Sequence, residues 1–233
     1  MLSKKIIWES VRNKKVIRNI DPFQVRTKDI NNVIDAVIKE CKDIVLERTA
    51  PSFEDPWTSR RTMRKNHIKR SFQPIPKLDR ITTKIFQNLQ NHFKIELRHT
   101  INKGPVYTYY TSKKNSFEGD WICVPEPDRF ISPKYYYKTL LHELSHAACS
   151  RTRLCLKLKE DEEEIAVEAS SLIICFLSGY NLWDSCLGYI TNWSYGAEQS
   201  KRNHILSVNK TSQWNAIRNK TKRIVRYLLN STD

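Results

Sequence analysis

Residues 139–146 read TLLHELSH. On an α-helix, residues four apart lie on one face, one turn above the other, so His142 and His146 can aim two imidazoles at one ion. Glu143 sits about 100° further round that helix. It is displaced from the ligand face but within reach of a water beside the ion. Zinc accepts imidazole nitrogen and carboxylate oxygen, and its catalytic sites keep a position open to water. The order ligand, base, ligand is that of H-E-x-x-H. Three fixed positions recur by chance, and a core helix with two histidines would read the same way. Here Leu140, Leu141, Leu144 and Ala147 surround the motif. The helix is therefore expected to be buried, where histidines need partners.

The flanking sequence gives that helix its bounds and neighbours. Ser132 and Pro133 suit an N-cap and a first helical position, and the helix is expected to run to about Cys149. Downstream, KEDEEEIAVEASSLIICF (159–176) predicts a helix from about Asp161 to Leu177, with Ile165, Ala169, Leu172, Ile173 and Phe176 as its apolar stripe. Glu164 and Glu168 lie four apart on it, and a carboxylate at the edge of a core helix calls for a cation or a hydrogen-bond donor. Either can supply a third ligand. Two more helices are expected, near 185–206 and 211–229, with Trp193 and Trp214 as core anchors.

Upstream, KIELRH (94–99), PVYTYY (105–110) and DWICV (120–124) alternate or are rich in β-branched and aromatic residues, as strands are. The simplest reading is a meander of three antiparallel strands. Asp79 serves as N-cap to a preceding helix with Ile81, Ile85, Leu89 and Phe93 on its stripe. Helix, sheet, then several helices makes the fold class α+β.

Nearer the N-terminus, Val33, Ile34, Val37, Ile38, Cys41, Ile44 and Val45 recur at helical spacing. A basic stretch follows, holding Arg60, Arg61, Arg64, Lys65, Lys69 and Arg70 with Trp57, His67 and Phe72 close by. Cations interleaved with rings suit single-stranded nucleic acid, charge on phosphates and rings on bases. Pro74 and Pro76 mark an expected boundary between a basic, mainly helical N-terminal extension (1–75), with one helix and a linker, and a second domain (76–233).

The 233 residues carry 40 Lys+Arg against 25 Asp+Glu, a net charge of +15. That balance favours a polyanionic partner. No apolar run is long enough to span a bilayer, no secretory signal is recognisable, and the six cysteines form no CxxC pair. Those features place the protein in the cytoplasm.

From about Thr100 to the C-terminus the order of motifs resembles the metallopeptidase domain of ArdC-type antirestriction proteins of plasmids and phages. The motifs are PVYTYY, DWICVPEPDRF, YYYKTLLHELSH, the RL of SRTRL, EEIAVEASSLIICFL and LGYITNW. The resemblance implies a zincin of gluzincin-like type that hydrolyses peptide bonds in a protein or peptide substrate. His142 and His146 become Zn²⁺ ligands, Glu143 the catalytic base, Glu164 the third ligand, and Glu168 the residue that orients a histidine. The reverse assignment of the two glutamates is the alternative. The family's N-terminal domain binds single-stranded DNA, yet residues 1–75 lack its asparagine, glycine and tyrosine motif. DNA contact would fall to the basic stretch and to Lys220, Lys222, Arg223 and Arg226. DWICV is expected to be an edge strand that holds substrate backbone, and Tyr189 and Tyr195 are candidate oxyanion donors. The rival reading is a nucleic-acid-binding protein whose zincin domain is structural or a binding module.

Overall fold

The computed structural model describes residues 4–13, 21–47, 56–90, 94–100, 104–109, 120–150, 153–157, 159–195, 208 and 210–229. In chain order the helices are α1 (Lys4–Arg12), α2 (Thr27–Glu47), α3 (Arg60–Lys65), α4 (Pro76–Gln90), α5 (Pro133–Cys149), α6 (Glu160–Leu177), α7 (Trp183–Ser194) and α8 (Thr211–Leu228). The strands are β1 (Ile95–Thr100), β2 (Val106–Tyr109) and β3 (Asp120–Pro125). The chain groups into two compact units, residues 1–54 with 156–233, and residues 55–155. Residues 1–75 are therefore divided between them.

The first unit is helical. α6 packs against α2, α7 and α8, and its expected stripe of Ile165, Ala169, Leu172, Ile173 and Phe176 is wholly buried. Its first turn holds Glu160, Asp161, Glu162 and Glu163, where carboxylates meet the positive end of the helix dipole. α2 joins the same core through Ile30, Val33, Ile34, Val37, Cys41 and Val45, all without exposed surface. Each fully buried aliphatic side chain contributes roughly 1.5–3 kcal/mol, so this stripe is what holds α2 in place. At the margin, Asp35 of α2 pairs with Arg218 and Lys222 of α8, and Arg226 donates to Asn31. Buried hydroxyls turn back on their own helices: Ser170, Ser194 and Thr221 each donate to the carbonyl four residues earlier. α7 ends at Ser194, and residues 196–206 of the longer helix expected there lie outside the described residues.

The second unit places α4 and α5 with a three-stranded sheet of order β1-β3-β2. β1 runs parallel to β3 in the register Ile95↔Asp120 to Thr100↔Pro125, and β2 runs antiparallel to it, Val106↔Cys123 to Tyr109↔Asp120. The expected antiparallel meander is thus a mixed sheet, and DWICV is its central strand rather than an edge. The reason is burial. β3 carries Asp120, Ile122 and Val124 at 2%, 0% and 0% exposure, and a strand that deeply covered takes partners on both sides. Alternation in sequence assigns faces, while strand order rests on contacts distant in sequence.

α4 begins at Pro76, three residues before the expected N-cap. Proline's fixed φ suits a first helical position. Asp79 lies in the first turn, where it accepts the Tyr137 hydroxyl at 3.0 Å and ties α4 to α5. Phe93, expected on the stripe of α4, falls outside the described residues. No described helix is long and apolar enough to cross a membrane.

Candidate metal centre

α5 presents the opening motif. Ser132 is its N-cap and Pro133 follows, as expected, although the Ser132 side chain makes no capping bond. The helix is buried nearly all round, from Tyr136 through Ser145 and again from Ala147 to Cys149. Packing on several sides is what fixes the rotation of such a helix. His142 is 6% exposed and Glu143 3%, and His146 is half-buried. The two imidazoles meet with ring centroids 4.9 Å apart and planes at 71°, as the four-residue spacing requires. Ser145 donates to the Leu141 carbonyl at 2.8 Å, so its hydroxyl is satisfied within the helix.

The end of α5 is anchored. Arg153 donates to the Ala147 carbonyl and to Ser150 Oγ, both at 3.1 Å. Ala147 O is one of the last carbonyls of the helix, left over by its regular ladder, and the Ser150 N–H of the C-cap donates to it as well. The same guanidinium forms an ion pair with Asp120 of β3, the two side chains 0% and 1% exposed. Helix end and central strand are thereby joined one residue beyond His146. Arg153 is the second arginine of SRTRL, the one in its RL pair, whose pattern was visible in the sequence and whose role was not.

α6 carries both glutamates. Glu164 is half-buried and Glu168 is wholly buried. Tyr189 of α7 donates to Glu164 Oε2 at 2.6 Å. Burial above all, then the Glu164 charge and the hydrogen bond to it, pushes the Tyr189 hydroxyl well above its ordinary pKa. Tyr195 directs its hydroxyl at the Val45 carbonyl, 3.4 Å away. Cys41 of α2 is raised too, by burial first and then by the charges of Glu40 and Glu168. Among the described residues, the ligand types that could hold a metal ion are the imidazoles of His142 and His146 on α5 with the carboxylate of Glu164 on α6 as the candidate third ligand. That set includes Glu164 and not Glu168.

The basic stretch is partly structural. Ser59 caps α3 by accepting from the Thr62 amide at 3.1 Å. Arg61, Arg64, Lys65 and Lys69 are exposed, while the side chain of Arg60 lies outside the described set. Arg70 is otherwise engaged, donating to Thr58 Oγ1 at 3.1 Å and to the Arg129 carbonyl at 2.6 Å. The rings expected to meet bases also have partners: Trp57 lies 4.8 Å from the Arg129 guanidinium, and Phe72 packs edge-on to Tyr136 at 5.2 Å. Of the C-terminal cations, Lys222 and Arg226 are held by α2 and Arg223 is exposed.

No curated protein and no solved structure matches the chain. A model of the MPTase-PolyVal family matches residues 86–207, a little over half of the chain and a span that contains β1 to β3 and α5 to α7. By that match, and with a buried H-E-x-x-H helix beside a small sheet, the chain belongs to a family of zincin-like metallopeptidases.

Proposed function

We propose that the protein is a zinc-dependent peptidase in which His142, His146 and Glu164 bind the metal and Glu143 is the general base. The observation that supports this best is the meeting of the two imidazoles on a buried H-E-x-x-H helix, in a chain of zincin-like family, with a distant glutamate able to complete the donor set. Two neutral nitrogens and one anionic oxygen are a donor set that zinc accepts while keeping a position for water. When bound, zinc supplies Lewis acidity to the scissile carbonyl and makes water more acidic. Glu143 takes the proton of the attacking water and returns it to the departing amine. Its near-complete burial limits its motion and favours both transfers. Glu168 acts as the carboxylate that orients a ligand histidine. Because β3 is central, substrate backbone is held at an edge of the sheet. β2 is the edge strand that packs against α5. The resemblance to ArdC-type proteins supports an antirestriction setting on a mobile element.

The test is zinc content per chain, with protein purified without a metal-binding tag. Wild type is expected to hold about one zinc, as a site with three protein ligands does, and His146→Ala to lose it. Glu143→Gln is expected to keep the metal and lose cleavage of a denatured protein substrate by about 10²–10⁴-fold. Wild-type protein without metal, and with stability indifferent to added zinc, sinks this reading.

One observation favours a second reading. Arg61, Arg64, Lys65 and Lys69 are exposed close together in sequence on a chain of net charge +15. They suit a single-stranded nucleic acid, bound alongside peptidase action or in place of it.

A further inference from the structure

Tyr189 and Glu164 are 25 residues apart in sequence and meet at 2.6 Å because α7 packs on α6. The proton in that bond has a defined direction. Trp193, one helical turn beyond Tyr189, also hydrogen-bonds to the tyrosine oxygen, with ring centroids 6.2 Å apart. An indole N–H only donates, so the tyrosine oxygen accepts from Trp193. The tyrosine O–H is then left to donate to a carboxylate that only accepts. The chain therefore runs one way, Trp193 to Tyr189 to Glu164.

We infer that Tyr189 is a positioning residue, whose hydroxyl holds one oxygen of Glu164 so that the carboxylate offers its other oxygen alone to the metal. This rests on the reading of Glu164 as a metal ligand and extends it. It also takes Tyr189 out of the set of oxyanion donors, since its one proton is already given to Glu164. A half-buried carboxylate able to rotate would exchange between one-oxygen and two-oxygen binding. With one oxygen engaged by Tyr189 and Tyr189 in turn engaged by Trp193, that rotation is restrained before the metal arrives. Partners of this kind, behind metal ligands, typically contribute 10–100-fold in metal affinity.

The experiment is a zinc-affinity cycle by competition with a chromophoric chelator, using the full chain as wild type, Tyr189→Phe, Glu164→Ala and the double variant. Tyr189→Phe is expected to weaken zinc binding about 10–100-fold and to have no further effect once Glu164 is alanine. The cobalt-substituted spectrum is expected to change in Tyr189→Phe, reporting altered coordination. Trp193→Phe, a second variant in case Tyr189→Phe folds poorly, is expected to shift affinity the same way and less. If Glu164→Ala leaves zinc affinity unchanged, the ligand assignment itself fails. If Glu164→Ala weakens binding while Tyr189→Phe keeps wild-type affinity and spectrum, the positioning role is overturned. If Tyr189→Phe lowers kcat at full zinc occupancy with affinity intact, the residue is an oxyanion donor and the inference is again wrong.

Discussion

Asp120 and Arg153 are both removed from water. Burying an ion costs several kcal/mol, and a pair persists in a core only where geometry and further hydrogen bonds offset that cost. Arg153 has such bonds, to Ala147 O and Ser150 Oγ as well as to Asp120. Asp120→Asn leaves the guanidinium buried without its counter-charge and is expected to lower unfolding free energy by about 3–5 kcal/mol, read by urea denaturation of the metal-free protein. Adding Arg153→Met is expected to restore part of that loss. A loss below about 1 kcal/mol, the size typical of exposed pairs, would mean that the pair is hydrated. Tyr189 belongs at this scale too. Both partnerships were out of reach of sequence reasoning, because a tyrosine or arginine of ordinary composition shows its role only through the atom it meets.

At the scale of elements, α2 is the instructive case. Its stripe predicts a helix, and the helix in the structure, Thr27–Glu47, contains the whole of that stripe. The sequence did not show what the stripe packs on. In the first unit it covers α6, α7 and α8, so the helix carrying Glu164 has its core completed by a segment outside the matched residues 86–207. Ile34→Ala is expected to cost about 2–5 kcal/mol. A chain lacking residues 1–54 is expected to lose cooperative thermal unfolding and to bind a hydrophobic dye. A truncated chain that melts cooperatively at the wild-type temperature would show that α2 is dispensable. α5 behaves in the opposite manner. Its start at Pro133, its end at Cys149 and its burial were all legible, because capping residues and an all-apolar surround are local signals.

At the scale of the molecule, the net charge of +15 favours polyanions, and the fold sorts the cations. Arg70, Lys222 and Arg226 serve internal contacts, whereas Arg61, Arg64, Lys65 and Lys69 are exposed. Replacing those four by serine is expected to weaken binding of a single-stranded oligonucleotide. The slope of log affinity against log salt should fall by about 0.7 for each phosphate that the variant no longer neutralises. Arg70→Ser is expected to change stability more than that slope. An unchanged slope in the fourfold variant would place nucleic-acid binding elsewhere on the chain.

The sequence by itself determined α2, α4, α5, α6 and α8, their buried faces and the ligand-base-ligand order of His142, Glu143 and His146, whereas α1 and α3 fall where only a polar extension and a linker were expected. A helical face repeats every 3.6 residues, so its pattern is complete within a few turns of chain. The tertiary structure decided that β3 is central and β2 and β1 flank it. It decided that Arg153 joins α5 to β3, and that the Tyr189 proton is given to Glu164. Each of these rests on groups some 10 to 35 residues apart meeting at hydrogen-bond distance. Local periodicity carries no record of such meetings, since the free energy that selects them comes from burying whole elements against one another.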